Sequence, residues 1–204
     1  KEFNISSKII MCFLRHLDED SCFEVLKEAC KYKDKIIGVG LDSSEKGNPP
    51  TKFKSLFEKA MEEGFLTVAH AGEEGPPEYI WDSINLLKVK RIDHGVQCLR
   101  DEKLINRLKK DQIPLTVCPL SNVKLCVFDK LENHNLKQML DKGLRAMVNS
   151  DDPAYFGGYL NKNLIDTANA LNLELNHVKI LIKNSFKSSF LDEKTKNEWL
   201  KKIN

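Results

Sequence analysis

Apolar runs alternate along the chain with stretches in which apolar residues recur every three or four positions. Stripes such as Leu56, Phe57 and Ala60 have the spacing of an amphipathic helix, and largely helical sequence follows the last apolar run. The apolar runs predict six strands, at residues 8–16, 36–41, 65–69, 91–94, 115–118 and 145–149. Strands that alternate with helices favour a parallel sheet with crossover helices, which is an α/β fold.

Capping residues mark the ends of several predicted helices. Ser21 and Glu24 have the spacing of a capping box, and Pro77 stands where a first helical turn begins. Gly64 and Gly143 stand where two helices are expected to end. The predicted sheet could be an open doubly wound sheet or could close into a (β/α)8 barrel. No glycine-rich nucleotide-binding motif opens any predicted helix, so the open sheet lacks the motif that usually accompanies it.

Composition narrows the class of protein. The chain has 204 residues, 41% of them hydrophobic, which is enough for a sizeable core. A net charge of +2 gives no reason to expect nucleic acid or an anionic membrane as a partner. The six cysteines include no CxxC pair, and we interpret them as reduced, mostly buried thiols of a cytoplasmic protein.

Polar residues stand at the carboxyl ends of the predicted strands. In a (β/α)8 barrel these ends converge on one face, which holds the active site. Histidine and carboxylate side chains can hold a catalytic zinc that keeps an open position for water, and nearby groups can then move protons. The residues that supply these parts are His70, Glu73, His94 and Asp151.

Each of these residues also has a purely structural interpretation. His94 could be a hydrogen-bonded histidine of the core, and Glu73 could favour a helix N-terminus through the macrodipole. Asp151 and Asp152 could form a turn in which an aspartate caps the next helix. Their common position at consecutive strand ends favours the functional interpretation. The adjacent aspartates add to this, because two neighbouring carboxylates repel each other unless a cation or a hydrogen-bonded partner is present.

Four short motifs follow one another at the ends of the third to sixth predicted strands. They are His70-Ala71-Gly72-Glu73, Asp93-His94-Gly95, Cys118-Pro119-x-Ser121-Asn122 and Ser150-Asp151-Asp152-Pro153. In this order, the motifs resemble the adenosine/adenine deaminase family of metal-dependent hydrolases. The resemblance covers nearly the whole chain and implies a (β/α)8 barrel of the metal-dependent hydrolase type.

Within that family, the sequence is more similar to the adenine deaminases than to the adenosine deaminases. The stretch from Glu73 to Trp81 and the stretch from Asp152 to Tyr159 are similar to the adenine deaminases. The loop after Asp42 is short and contains Ser43 and Ser44, whereas adenosine deaminases carry a longer, glycine-containing loop there.

The resemblance implies a role for each site residue. His70 and Asp151 would be ligands of one zinc ion per subunit, although such a site also accepts iron, manganese or cobalt. Glu73 would protonate purine N1, and His94 would orient or deprotonate the metal-bound water. Asp152 would hydrogen-bond purine N7. The reaction would convert adenine to hypoxanthine and ammonia, a step of purine salvage.

The sequence departs from the family pattern in one respect. The family's other two metal ligands come from a His-x-His motif on the first barrel strand, and this chain contains no such motif. With six predicted strands, we expect residues 1–204 to be the C-terminal part of a single barrel domain that lacks the first two β/α units, with weak metal binding and little activity on its own. Of the remaining histidines, His16 matches a family segment but not the metal motif. We interpret His134 and His177 as surface or helix-start residues.

Two other functions stay open. The first is deamination of adenosine or an N6-substituted purine nucleotide. The short serine loop at Asp42 argues against these larger substrates and favours a free base. The second is a non-catalytic barrel remnant that serves as a binding or structural protein. The missing His-x-His motif supports the remnant, and the retained site residues oppose it.

Overall fold

A computed structural model of the chain describes residues 5–203, which divide after Ile92 into two compact units. None of the helices within these residues combines the length and the apolar character that a membrane span requires. No disulfide joins the cysteines of this range, and Cys22, Cys98 and Cys118 are buried. Burial raises the pKa of the Cys98 thiol to about 12, so this cysteine stays protonated at neutral pH.

Within residues 5–92, three complete parallel strands alternate with three α-helices. The strands pair in chain order, with Leu14 opposite Asp42 and Gly38 opposite Leu66. The elements are β1 (Ile9–Leu14), α1 (Glu19–Ala29), β2 (Ile36–Asp42), α2 (Lys54–Glu62), β3 (Leu66–Ala71) and α3 (Pro77–Asn85).

The core of the first unit forms where the apolar stripe of α2 meets the strands. Leu56, Phe57 and Ala60 are fully buried, as their spacing predicts. The ring of Phe57 packs edge-on against Phe13 of β1, with 6.1 Å between the ring centroids. Gly64 adopts φ of +88° just after the end of α2, the left-handed conformation that ends a helix.

The start of α1 differs from the prediction. Ser21 is not the N-cap, because the helix begins three residues earlier and its N-cap is Asp18. The Asp18 carboxylate accepts a hydrogen bond from the Ser21 amide at 2.7 Å and another from the Ser21 hydroxyl at 2.9 Å. Aspartate caps a helix as well as serine does, so a spacing rule alone could not separate the two positions.

The second unit begins within β4 (Arg91–His94), because the division falls between Ile92 and Asp93. Within residues 93–203, β5 and β6 pair in parallel, with Leu115 opposite Ala146 and Val117 opposite Val148. Both strands are buried along their whole length. The further elements are α4 (Glu102–Asp111), β5 (Leu115–Val117), α5 (Pro119–Lys124), α6 (Leu136–Asp141), β6 (Ala146–Val148), α7 (Pro153–Phe156), α8 (Leu160–Ala170), α9 (Leu175–Ser188) and α10 (Glu193–Leu200).

The long helix α9 is joined to β6 by a side-chain hydrogen bond and is capped at its start. The Asn184 side chain donates a hydrogen bond to the Ala146 carbonyl of β6 at 2.8 Å. At its start, Glu174 and His177 form a reciprocal capping box, in which the Glu174 amide donates to His177 Nδ1 at 3.1 Å. The prediction that His177 lies at a helix start is therefore confirmed.

Candidate active site

Three side chains that could bind a metal converge at strand ends of the second unit. His94 is the last residue of β4, Cys118 follows β5, and Asp151 follows β6. Among residues 5–203 these three form a group whose potential ligand atoms all lie within 4.8 Å of one another. His94 Nε2 lies 3.9 Å from Asp151 Oδ2, and the Ser121 hydroxyl donates a hydrogen bond to the same oxygen at 2.7 Å.

The backbone is strained at two of these positions. His94 has φ of +64° and Asp151 has φ of +55°, in the left-handed region that residues other than glycine seldom adopt. Such conformations cost on the order of 1–3 kcal/mol each and concentrate at functional sites, because the surrounding structure must hold them in place.

A chain of polar side chains lies behind His94. Asn122 Nδ2 lies 3.2 Å from His94 Nδ1, and Asn122 Oδ1 lies 3.2 Å from His134 Nε2. The Leu136 amide donates a hydrogen bond to His134 Nδ1 at 3.0 Å. All three side chains are buried, with exposed fractions of 1% for His94, 0% for Asn122 and 3% for His134.

The expectation that His134 is a surface residue is wrong. It does precede a helix, since α6 begins at Leu136, but its ring packs against Phe128 with 4.4 Å between the ring centroids. Burial lowers the pKa of His134 to about 4, so the side chain is neutral at pH 7. This burial could not be predicted from the sequence, because nothing in the short polar stretch before α6 indicates a buried ring.

Asp152 caps the short helix α7. Its Oδ1 accepts hydrogen bonds from the Ala154 amide at 3.1 Å and the Tyr155 amide at 3.3 Å. The structural interpretation of this aspartate as an N-cap is therefore correct. Both bonds end on Oδ1, so a ligand could still bind through Oδ2, and the role of Asp152 in substrate binding stays a prediction.

In the first unit, His70 and Glu73 lie at the carboxyl end of β3. His70 is the penultimate residue of the strand, and Glu73, with an exposed fraction of 7%, lies in the loop that follows. The interpretation of Glu73 as a helix N-terminal residue is wrong, because α3 begins only at Pro77.

A second carboxylate organises the Glu73 loop. Glu45 is buried, and its Oε1 accepts a hydrogen bond from the Glu73 amide at 3.1 Å. Its Oε2 accepts from the Gly72 amide at 3.1 Å and the Gly75 amide at 2.7 Å. A Cβ atom on Gly75 would lie 2.1 Å from Glu45 Oε2 and 2.6 Å from the Tyr79 ring, so only glycine lets the loop close on the carboxylate.

Arg15 also contacts this region, through His70 and Tyr79. Its side chain is fully buried, and it donates from Nε to the Asn48 carbonyl and from Nη1 to the His70 carbonyl, each at 2.8 Å. Its guanidinium lies 5.6 Å from the centroid of the Tyr79 ring. Burial lowers the pKa of Arg15, and an arginine keeps its charge despite such a shift. Neither Arg15 nor Glu45 was assigned a role from the sequence.

The structure thus brings two of the predicted site residues together, His94 and Asp151, and adds Cys118 beside them. His70 and Glu73 lie three residues apart in the first unit, and Asp152 caps a helix. Imidazole nitrogen, carboxylate oxygen and thiolate sulfur are all donors that zinc accepts, so the side chains present fit the predicted metal.

The whole chain matches one protein family. Residues 1–204 match the sequence model of the family described as adenosine deaminase. The chain belongs to the adenosine deaminase family. The family resemblance seen in the four sequence motifs is therefore confirmed.

Curated relatives of this deaminase-family chain include the adenine deaminase of Hahella chejuensis. The two sequences are 58% identical over 198 residues, which are 97% of this chain and 59% of that protein. The chain thus spans about three fifths of the length of the relative it matches.

Two solved structures are similar to the deaminase-family chain. The crystal structure of adenine deaminase from Arthrobacter aurescens matches 99% of this chain and 62% of that one, with a TM-score of 0.96 and 46% identity. An amidohydrolase from Burkholderia ambifaria, crystallised with bound Zn, matches 99% of this chain and 57% of that one, with a TM-score of 0.92 and 25% identity. These likenesses confirm the predicted fold class, a parallel α/β chain that forms an incomplete (β/α)8 barrel.

Proposed function

We propose that the protein to which this chain belongs is a metal-dependent adenine deaminase, which hydrolyses the 6-amino group of adenine to give hypoxanthine and ammonia. One observation carries the proposal: His94 Nε2 and Asp151 Oδ2 lie 3.9 Å apart at strand ends, in a chain 58% identical to an adenine deaminase. Retention of this pair opposes the alternative of a non-catalytic barrel remnant.

The metal would be a zinc ion, one per subunit, with His70 and Asp151 among its ligands. When bound, zinc lowers the pKa of a coordinated water and so supplies hydroxide near neutral pH. The zinc bound to the similar amidohydrolase supports this choice of metal. The hydrogen bond from Ser121 would orient the Asp151 carboxylate toward the ion, as outer partners of metal ligands do.

The remaining residues would act on the purine and the attacking water. Glu73 would give a proton to purine N1, which makes C6 more electrophilic. Water would add to C6, with His94 holding it in position, and ammonia would leave from the resulting tetrahedral carbon. Asp152 would hydrogen-bond purine N7 through the carboxylate oxygen that does not cap α7. General acid–base steps of this kind contribute about 10²–10⁴-fold to rate.

The free base is the proposed substrate, rather than adenosine or an N6-substituted purine nucleotide. The curated relatives at 53–59% identity are named adenine deaminase, which supports the free base. We further propose that the reaction serves purine salvage in the cytoplasm, where the thiols of the described residues would stay reduced. A net charge of +2 supports a small-molecule partner over nucleic acid or a membrane surface.

The test is ammonia release from adenine by the full-length protein, with its metal content measured, beside a Glu73→Gln variant. We expect release in the native protein and loss of at least about 10²-fold in the variant, because glutamine cannot donate a proton to N1. Adenosine, assayed in parallel, should react far more slowly. A metal-loaded protein that releases no ammonia from adenine would overturn the substrate, and a protein without metal would favour the barrel remnant.

A further inference from the structure

A histidine is useful in catalysis only if the correct ring nitrogen carries its proton, and the partner of the other nitrogen decides which one that is. We propose that His134 and Asn122 fix the tautomer of His94, through a chain of hydrogen bonds that begins at the Leu136 amide. The proposal rests on the proposed function, in which His94 positions the attacking water. His134 and Asn122 would be positioning residues that touch neither substrate nor metal.

The chain of hydrogen bonds has a fixed direction because of its first member. A backbone amide can only donate, so His134 Nδ1, 3.0 Å from the Leu136 amide, must accept. Leu136 is the first residue of α6, and the first amides of a helix have no carbonyl partner within the helix. The side chain of His134 satisfies one of them. A neutral His134 then has its single proton on Nε2.

The second link transmits this assignment to His94. His134 Nε2–H donates to Asn122 Oδ1 at 3.2 Å, which identifies that atom as the amide oxygen. The other end of the same amide is therefore the NH2 group, and it donates to His94 Nδ1 at 3.2 Å. Since His94 Nδ1 accepts, a neutral His94 carries its proton on Nε2.

Packing keeps the three side chains in this arrangement. The Asn122 carbonyl accepts from the Val127 amide at 2.9 Å and from the Phe128 amide at 3.3 Å, which fixes the backbone that carries the side-chain amide. The Phe128 ring lies against His134 at 4.4 Å between centroids. Because the group is buried, water cannot readily replace a lost partner, and a hydrogen-bonded network of this kind favours one arrangement.

The consequence concerns the nitrogen that faces Asp151. His94 Nε2 lies 3.9 Å from Asp151 Oδ2, and in this tautomer Nε2 is a hydrogen-bond donor with no lone pair. A donor can orient a water oxygen or stabilise negative charge on it, but it cannot remove a proton. We call the chain of hydrogen bonds from the Leu136 amide through His134 and Asn122 the relay. Of the two roles that the family resemblance leaves for His94, the relay favours orientation of the water over removal of its proton.

The test uses the full-length protein and two independent measurements. Nitrogen-15 NMR of labelled histidine distinguishes protonated from unprotonated ring nitrogens, and the His94 signals are assigned by their loss in a His94→Asn variant. We expect His94 to carry its proton on Nε2 in the native protein. In Asn122→Asp, a carboxylate that only accepts should draw the proton to Nδ1.

Variants of His134 test whether the relay begins where we infer. His134→Phe keeps an aromatic ring against Phe128 but removes the donor, so Asn122 loses its fixed orientation and His94 should show a mixture of tautomers. His134→Gln restores an N–H donor and should recover the native tautomer. In steady-state assays, kcat should fall about 10–100-fold in His134→Phe with KM within about twofold, and His134→Gln should regain most of it.

The outcomes separate the relay from the proposed function. A native His94 with its proton on Nδ1, or a His134→Phe variant that folds and keeps a single Nε2–H tautomer, overturns the relay. The NMR measurement needs no turnover, so a protein that does not deaminate adenine but shows the expected tautomers overturns the proposed function alone.

Discussion

The backbone amide of Glu73 donates a hydrogen bond to the buried carboxylate of Glu45 at 3.1 Å. The residue proposed as the proton donor to the purine is therefore held by a carboxylate that comes from the loop after a different strand. Glu45 also accepts the amides of Gly72 and Gly75, so one side chain fixes the course of the whole loop.

Replacing Glu45 by glutamine should weaken both the fold and catalysis. Both carboxylate oxygens accept backbone amides, and the NH2 group of glutamine would face at least one of these donors. We expect Glu45→Gln to lower the free energy of unfolding by about 1–3 kcal/mol, measured by urea denaturation, and to reduce kcat. The control is Glu74→Gln in the same loop, whose exposed ion pair with Lys46 should contribute less than about 1 kcal/mol. Equal effects of the two variants would contradict the assigned role of Glu45.

Replacing Arg15 by lysine should disturb His70. Lysine cannot reproduce the planar fork that donates to the Asn48 and His70 carbonyls, so at least one buried carbonyl would lose its donor. We expect Arg15→Lys to cost about 1–3 kcal/mol of unfolding free energy. Arg100→Lys, on an exposed arginine, should change it by no more than about 0.5 kcal/mol. Zinc content of the full-length protein, measured by mass spectrometry, should fall only in Arg15→Lys.

The adjacent aspartates should differ in their effects on metal and substrate. Asp151→Asn removes a proposed ligand and should strongly reduce bound zinc. Asp152→Asn leaves a side-chain oxygen to cap α7, so zinc should stay bound while KM for adenine rises about 10-fold or more, the usual effect of a charged hydrogen bond lost. Metal analysis and steady-state kinetics of both variants decide the matter. Loss of zinc in Asp152→Asn, or full zinc in Asp151→Asn, would reverse the assignment.

Burial of His134 predicts a specific loss of stability in acid. Its pKa in the folded protein is about 4, whereas an unfolded histidine titrates near 6.5, so the unfolded state binds more protons between these values. The free energy of unfolding should therefore fall as the pH decreases from about 6.5 to about 4, by about 3 kcal/mol from this residue. Comparison with His134→Gln isolates the effect, since that variant should show a shallower decrease over the same range. Parallel curves for the two proteins would show that His134 is not held neutral by the fold.

The strands could be predicted from the sequence because their apolar runs are short and bounded by polar residues. β4 has the predicted bounds of 91–94, and the other five strands begin and end within two residues of the predicted ones. The helix α5 was not predicted. It is six residues long, too short for an apolar stripe to repeat.

The site could be predicted only as far as strand ends carry reactive side chains. His94 and Asp151 were found in this way, because position at a strand end is visible in the sequence. Glu45, Asn122 and His134 act through side-chain contacts between segments distant along the chain, and no local pattern indicates such contacts. Arg15 was missed for a further reason, since arginine side chains are usually exposed and this one is fully buried.

The left-handed backbone at positions 94 and 151 sets a limit on engineering. Glycine adopts these φ values without the strain that histidine and aspartate experience, so a redesign guided by backbone strain alone would place glycine at both positions. Such a sequence would lose the imidazole and the carboxylate of the site together, and it would leave a cavity where the buried ring of His94 packs. Any programme to make this protein more heat-resistant should therefore hold these two positions fixed and look for its gains elsewhere.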